Sequence, residues 1–425
     1  MSEEFLHYIW RFQLWNTQNL TTVDGQELNV ISTGQHNHDS GPDFFNAKIR
    51  IGKTMWAGNV EIHINSSDWV KHQHTYDDAY NNVILHVVYN LDKEVFNSSG
   101  QKIPALHAGQ YLNDNVYSKY LSLQKNLWIA CGYQLGEVDD FIWRNWLERL
   151  LIERLEKKTE TLQELMNYTG DDWAETFYIA IAKNFGFTAN QMPFEQLAKS
   201  IKQSIIARHR KSLLQVEALL FGSAGLLLDH FKDEYPRKLI SEFNILQKKY
   251  GISPMEGHIW KFLRMRPSNF PTIRLSQFAA LITRTESLFS RLIHAKDLEE
   301  MRSLFNVSAS EYWNSHYSFD KTSATVRMKK LGTFTVDMLL INTVLPFLFL
   351  YGKIKGDDAF AMHALSLFEK LPAENNAIIR KWIGFGIKPV SALQSQALLE
   401  LRKNYCVEKK CLNCTIGLKI LDYDR

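Results

Sequence analysis

The strongest constraint in this chain is a change of hydrophobic period near residue 115. Before it, apolar residues recur at every second position, the spacing of strands. After it they recur every three or four, the spacing of helices. NVYSKYLSLQKNLW and VDDFIWRNWLERLLIERLEKKTETLQELM show the helical pattern, as do FEQLAKSIKQSIIARHRKSLLQVEALLFG, LSQFAALITRTESLF and AFAMHALSLFEKL further on. Gly and Pro fall between these blocks, where they stop helices. In the first part, Phe5, Leu6, Ile9 and Trp10 share one helical face, and residues 28–32, 45–51 and 58–64 read as strands. NVILHVVYN, at 82–90, is almost unbroken apolar and reads as a central strand buried on both faces. No fixed repeat is present, so a solenoid is not supported. The expected class is therefore α+β: an α/β domain over 1–115, a large all-α domain over 116–400, and a cysteine-containing tail over 401–425.

A chain of 425 residues, 45% hydrophobic and 12% aromatic, can bury two or three cores. Its net charge of +3 is too small to imply a polyanionic partner, so local patches must carry any such reading. MSEEFLHYIWRF lacks the basic-then-apolar order of a signal peptide. The longest apolar stretch, FTVDMLLINTVLPFLFLY at 334–351, is interrupted by Asp337, Asn342 and Pro346. A buried helix pair is expected there, and no membrane span. Four cysteines in so long a chain cannot form a disulfide framework, so a reducing, cytoplasmic setting is expected.

The chemistry concentrates in SGPDFFNAKIRIGKTMWAGNVEIHI, residues 40–64. Along VEIHI, Val60, Ile62 and Ile64 share one strand face while Glu61 and His63 share the other. Asp43 starts the preceding strand, and Pro42 pins the entry of the chain into it. If the two strands pair, Asp43 falls beside Glu61. Two converging carboxylates repel, and a hard cation such as Mg²⁺ or Mn²⁺ relieves the repulsion. Such an ion acidifies a water and neutralises an attacked phosphate, and His63 is placed to orient the water or stabilise the transition state. A turn residue at Asp43 and a solvated face at Glu61 and His63 are the plain alternative.

Pro42–Asp43, a strand, then Glu61-Ile62-His63 resembles the signature of the PD-(D/E)XK nuclease superfamily, as does the order of a leading helix, several strands and a buried strand. The resemblance implies a restriction-endonuclease-like first domain and a divalent-metal-dependent phosphodiesterase acting on nucleic acid. It makes Asp43 and Glu61 ligands, His63 the catalytic nitrogen group, and Glu4 a carboxylate joining from the first helix. A noncatalytic scaffold that keeps the nuclease-like shell is the alternative. His63 stands where that superfamily usually carries Lys, replacing a fixed charge by a group that can be neutral at pH 7. Across the whole chain, EEFLHYIW, GPDFFNAKI, WAGNVEIHINSSDW, NVILHVVY, RPSNFPTIRLSQFA and the terminal cysteines resemble a bacterial family of proteins of unknown function.

Other groups carry weaker signals. GQHNHDSG offers His36, His38 and Asp39, an H-x-H loop with a poor resemblance to a cupin metal site; a polar loop is expected. SSDWVKHQHTYDDAY offers Asp68, His72, His74 and Asp77 and reads as a helix capped by Ser66 or Ser67, with His72 facing the site if that helix packs over the strands. His86 sits inside an apolar strand and is expected to be a satisfied core residue. Cys406, Cys411 and Cys414, spaced C-x4-C-x2-C, can converge on a soft cation, and Cys131 can supply a fourth bond. Zn²⁺ and an iron–sulfur cluster both suit that set, which loosely resembles the cluster-stapled members of the nuclease superfamily; unliganded thiols are the alternative. Lys199, Lys202, Arg208, Arg210 and Lys211 form a basic stretch. Lys261, Arg264, Arg266 and Arg274 interleave with Trp260, Phe262 and Phe270, a mixture suited to DNA or RNA or to locking helix junctions. FGSAG at 221–225 lacks the Lys-Ser/Thr of a phosphate loop and reads as a helix–helix turn.

Overall fold

The computed structural model describes residues 1–15, 19–37, 41–112, 114–123, 128–227 and 230–421. The chain divides into Met1–Trp143 with Arg402–Arg425, and Arg144–Leu401. The first unit thus extends past the expected boundary at 115 and takes in the cysteine tail.

The first unit opens with α1, Glu3–Phe12. Ser2 caps it by accepting from the Phe5 N–H at 3.3 Å, and Glu3 and Glu4 sit in the first turn, where the helix dipole favours acids. Among the described residues a seven-stranded sheet follows: β1 Leu20–Thr21, β2 Glu27–Ser32, β3 Gln35–His36, β4 Phe44–Ile51, β5 Thr54–Asn65, β6 Val83–Asn90 and β7 Ala105–His107. Their order is β1-β2-β4-β5-β6-β7, with β3 on β4. Pairing is antiparallel up to β5 and parallel from β5 to β6 and β6 to β7. One face of the sheet buries Val60, Ile62, Leu85, Val87 and Leu106 against Leu6 and Trp10 of α1. The other face of β5 and β6 is covered by α2, Asp68–Lys71, and by the tight turns His74–Tyr76 and Asp78–Tyr80, with Trp69, Tyr80 and Val83 in a second apolar cluster. Parallel strands covered on both faces explain the unbroken apolar run in β6.

The second unit is largely helical, with long elements at Trp173–Phe185, Phe187–Ser200, Leu213–Ser223, Glu234–Tyr250 and Pro271–Arg284, but not all-α as expected, since His316–Ser318 and Lys321–Thr322 pair as a two-stranded antiparallel sheet. The FGSAG stretch ends one of them. Gly225 has φ 70°, and a Cβ there would run into the Met255 carbonyl oxygen, so only glycine fits the turn. The expected helix pair at 334–351 is instead one continuous helical run from Thr333–Leu339 through a π turn at Leu340–Val344 into Leu345–Lys355. The π turn widens the ladder just ahead of Pro346, whose ring would clash with a regular preceding turn. The run is long and apolar enough to cross a membrane by length and composition, and 78% of its apolar window is buried inside the protein.

Candidate metal centre

The site lies on the face of β5 and β6 opposite the main core. Glu61 and His63 alternate with Val60 and Ile62 along β5, and the parallel register sets Glu61 beside His86 of β6. This face is not wet: Glu61 is 4% exposed, His63 2% and His86 0%.

Asp43 reaches the same face through a bulge. Phe44 pairs with Val60 but Ala47 pairs with Gly58, so β4 carries one residue more than β5 between these pairs. Asn46 takes up the extra residue with φ 57°, a left-handed conformation that Asn tolerates, and its N–H donates to Asn59 Oδ1 at 3.3 Å. A one-residue shift exchanges the faces of a strand, so the bulge turns Asp43 from the core side to the Glu61 side. The Ile62 N–H then donates to Asp43 Oδ2 at 2.8 Å, and the Asp43 N–H to Glu61 Oε2 at 3.1 Å.

Helix α1 contributes Glu3 and His7, one turn apart. His7 Nε2 lies 3.3 Å from Asp43 Oδ2. The expected Glu4 is displaced by one position in helical phase: its side chain is exposed, and Glu3 is the residue that feels the site. Burial and then the Asp43 carboxylate raise the Glu3 pKa. Burial pushes the His7 pKa down, but the Asp43, Glu3 and Glu61 carboxylates outweigh it and the net shift is upward.

The segment after β5 supplies two more imidazoles. Ser66 and Ser67 hydroxyls donate to Asp92 at 2.8 and 2.6 Å, which ties the start of α2 to the end of β6. Ser67 therefore does not cap α2 with its side chain. Gln73 takes φ 64° between His72 and His74, and this reversal lets both rings aim at one point. One ring nitrogen each from His63, His72 and His74 lie within 4.8 Å of one another. His72 Nδ1 is 3.3 Å from His63 Nε2, while Glu61 Oε1 is 3.4 Å from His63 Nε2 and 3.3 Å from His74 Nε2. His63 Nδ1 contacts His86 Nε2 at 2.9 Å. His86, expected to be a satisfied core residue, thus touches the centre. Trp69 packs edge-on against His74, and Tyr80 stacks on it.

Electrostatics follow from burial. Desolvation and then the Asp43 carboxylate push the Glu61 carboxyl up to about 9. Desolvation pulls both His63 and His86 down to about 3, aided in His63 by the His86 and His74 rings and in His86 by His74. His74 is lowered by burial. These imidazoles are neutral near pH 7, with lone pairs available. Asp68 and Asp77 spend their carboxylates on the Asn65 and Ala79 N–H groups instead. His36 stacks on Phe44; His38 and Asp39 lie outside the described residues.

The structure gathers Asp43, Glu61 and His63, and adds Glu3, His7, His74 and His86 to them. The sequence signal for Glu3 and His7 was their i, i+4 spacing on a helix whose other face is apolar.

The four thiols belong to the same unit. Cys131, Cys411 and Cys414 are buried, Cys406 is half-buried, and none of the four is in a disulfide. Burial pushes Cys131 up to about 12, with Cys414 and Cys411 adding to it, and Cys406 is raised by burial and then by Cys414, Cys131 and Cys411. Cys411–Asn413 forms a tight turn against the helix Thr415–Leu421, where a Cβ at Gly417 would run into the Cys411 carbonyl oxygen.

In the helical unit, Lys261, Arg264 and Arg266 are exposed. Arg274, expected to touch nucleic acid, is 5% exposed; it donates to Gln277, Asn269 and Thr335 and lies over the Phe187 ring, so it locks a helix junction. Trp260 is likewise buried and donates to the Ala224 carbonyl at 2.8 Å, which removes it as a stacking platform for bases.

Residues 3–377 match the family described as Protein of unknown function (DUF2851). No curated protein and no solved structure matches the chain.

Proposed function

The chain belongs to the DUF2851 family, which brings no activity with it, and from the centre itself we propose a divalent-metal-dependent phosphodiesterase acting on nucleic acid. One observation carries this reading. Asp43 and Glu61, from two strands, converge on one face, and each accepts a backbone N–H from the other's strand. That is the disposition the resemblance to PD-(D/E)XK nucleases calls for.

A bound divalent ion would supply charge neutralisation at phosphorus and acidify a water. Asp43 and Glu61 would hold it, as expected for Mg²⁺ or Mn²⁺; Mg²⁺ takes oxygen donors, and the imidazoles around Glu61 suit Mn²⁺ better. His7, with its raised pKa and its place 3.3 Å from Asp43, offers the positive charge that Lys would give at position 63. His63 is turned inward to His86 and is better placed to position Glu61 than to meet a phosphate. The exposed Lys261, Arg264 and Arg266 are the proposed backbone contacts for DNA or RNA. For the four cysteines we propose a structural ion, Zn²⁺ or an iron–sulfur cluster, which would draw the thiols closer than they lie here and tie the tail to residue 131.

The test is cleavage of single- and double-stranded DNA and RNA with Mg²⁺, Mn²⁺ or Zn²⁺. Wild type should cut and Asp43→Asn should not. A wild-type protein inert on every substrate sinks the hydrolytic reading. Salt-sensitive binding without cleavage would favour the scaffold reading, which the inward-facing His63 supports.

A further inference from the structure

We propose that His63, His72 and His74 form a three-imidazole site for one Zn²⁺ ion, with Glu61 beside two of them. The inference rests on the metal-centre reading above but moves the ion from Asp43 to the imidazoles, and it does not need hydrolysis. It moves His63 from a catalytic group to a ligand.

Distances carry it. One ring nitrogen from each of the three histidines lies within 4.8 Å of the others, and the short contacts of the cluster are His72–His63 and Glu61–His74 at 3.3 Å and Glu61–His63 at 3.4 Å. Good N–H···O bonds cluster nearer about 2.9–3.0 Å, so the contacts are loose for hydrogen bonds. These three spacings equal the edge length of a small tetrahedral site. The edge of a tetrahedron is about 1.63 times its centre-to-vertex distance, so Zn–N and Zn–O bonds of about 2.0–2.1 Å place ligand atoms about 3.3–3.4 Å apart. Octahedral Mg²⁺ at the same bond length needs edges of about 2.9 Å and prefers oxygen throughout.

Donor chemistry agrees. Three imidazole nitrogens, with a carboxylate oxygen beside two of them, are donors that borderline divalent ions take. The His63 tautomer with its proton on Nδ1, donated to His86 Nε2 at 2.9 Å, leaves Nε2 for the ion. His86 then acts as the orienting partner that metal-bound histidines commonly have. His72 is exposed, which gives the ion a path from solvent. The local backbone is built for the meeting: β5 sets Glu61 and His63 two residues apart on one face, and the left-handed Gln73 folds His72 and His74 onto them.

The experiment uses the full chain, stripped with a chelator and titrated with Zn²⁺ by calorimetry and with Co²⁺ by visible absorption. In the Cys411→Ser protein, used so that the thiols do not contribute, one equivalent should bind, and Co²⁺ should show the visible bands of a tetrahedral site, displaced by Zn²⁺. Since losing even an outer partner costs about 10–100-fold in affinity, His72→Ala and His74→Ala should each weaken binding at least about tenfold. Lys261→Ala, an exposed residue of the helical unit, should keep the stoichiometry and the spectrum. Far-UV circular dichroism in chelator checks folding, and His72, at the surface, is the variant least able to disturb it. Absence of stoichiometric Zn²⁺ binding by the Cys411→Ser protein overturns the proposal. So does undiminished affinity in both histidine variants, or binding that depends on Asp43 and not on His72. Binding with the expected signature but no nucleic-acid cleavage supports the site and removes only the hydrolytic reading.

Discussion

Glu61→Gln in chelator-stripped protein should remove the loss of stability with rising pH that this carboxyl imposes above neutrality. The buried carboxyl titrates near 9 in the folded chain against 4.5 in the unfolded one, because burial and the Asp43 carboxylate both disfavour its charge. A folded pKa raised above the unfolded value means that stability is fully present below pH 4.5 and is lost as pH rises toward 9. His63 and His86 act in the opposite sense. Their folded values near 3 lie below the ordinary 6.5, so their contribution is complete above 6.5 and is lost as pH falls toward 3.

Counting protons gives the curve. Between pH 4.5 and 6.5 the unfolded chain holds two imidazole protons that the folded chain lacks, and the folded chain holds one carboxyl proton that the unfolded chain lacks. The net proton makes these groups contribute a rise of about 1.4 kcal/mol per pH unit. Of these three groups only Glu61 still titrates above 6.5, and their contribution falls with the same slope. The amide of the Glu61→Gln variant has no such proton to lose. The variant-minus-wild-type difference should therefore grow by about 1.4 kcal/mol per unit, or about 4 kcal/mol from pH 5.5 to 8.5. Urea midpoints at several pH values in chelator measure it, and titrating groups away from the centre cancel in the difference. Parallel curves for the two proteins would show that Glu61 is not a buried, high-pKa carboxyl, and the electrostatic description of the centre would fail.

Four further outcomes are expected. Asn46→Val places a β-branched residue at φ 57° and should cost about 1–2 kcal/mol in urea unfolding, whereas Asn46→Gly is tolerated; equal stability of the two would mean that the bulge is not what seats Asp43. Trp69→Ala removes a fully buried ring beside His74 and His86 and should cost about 3–5 kcal/mol, so a loss under about 1 kcal/mol would show that the cover over β5 is not packed. Joint replacement of Lys261, Arg264 and Arg266 by Ala should reduce the slope of log affinity for DNA against log salt by about 2–3, and an unchanged slope removes that loop from any nucleic-acid role. Cys411→Ser should lower bound zinc or iron and make the tail easier to proteolyse; equal metal content in both proteins would leave the four thiols unliganded.

What the sequence made legible follows the range of its signals. Period-two alternation placed Glu61 and His63 on one face and Val60 and Ile62 on the other, because that pattern is local. The change of period separated sheet from helices for the same reason, but not the boundary, since a helix such as Asp140–Thr169 runs across the division at Trp143. Residues that depend on the phase of a helix were harder. Glu4 and Glu3 are both acidic, both in the first turn, and only the packing of Phe5, Leu6 and Ile9 decides which one turns toward Asp43. Arg274 looks like its exposed neighbours Arg264 and Arg266 in composition; the partners that bury it, Phe187 and Thr335, are remote in the chain.

The decisive miss concerns what a strand face meets. Alternation says that Glu61 and His63 look the same way, but it is silent on whether water or protein lies opposite. That depends on residues 66–80 folding back across β5 and β6, held by the Ser66 and Ser67 contacts to Asp92 and by Trp69. Once the face is covered, the same two side chains change character. An exposed Glu61 would be an ordinary carboxylate and His63 a partly charged ring. Covered, Glu61 is driven toward its neutral form, His63 away from its charged one, and His74 is brought to the pair. Comparing His63 with the Lys of a known motif asks whether one residue can replace another. The structure shows that the chemistry at this position is set by the rings and carboxylates that other segments bring to it, so the substitution is intelligible only together with His72, His74 and His86.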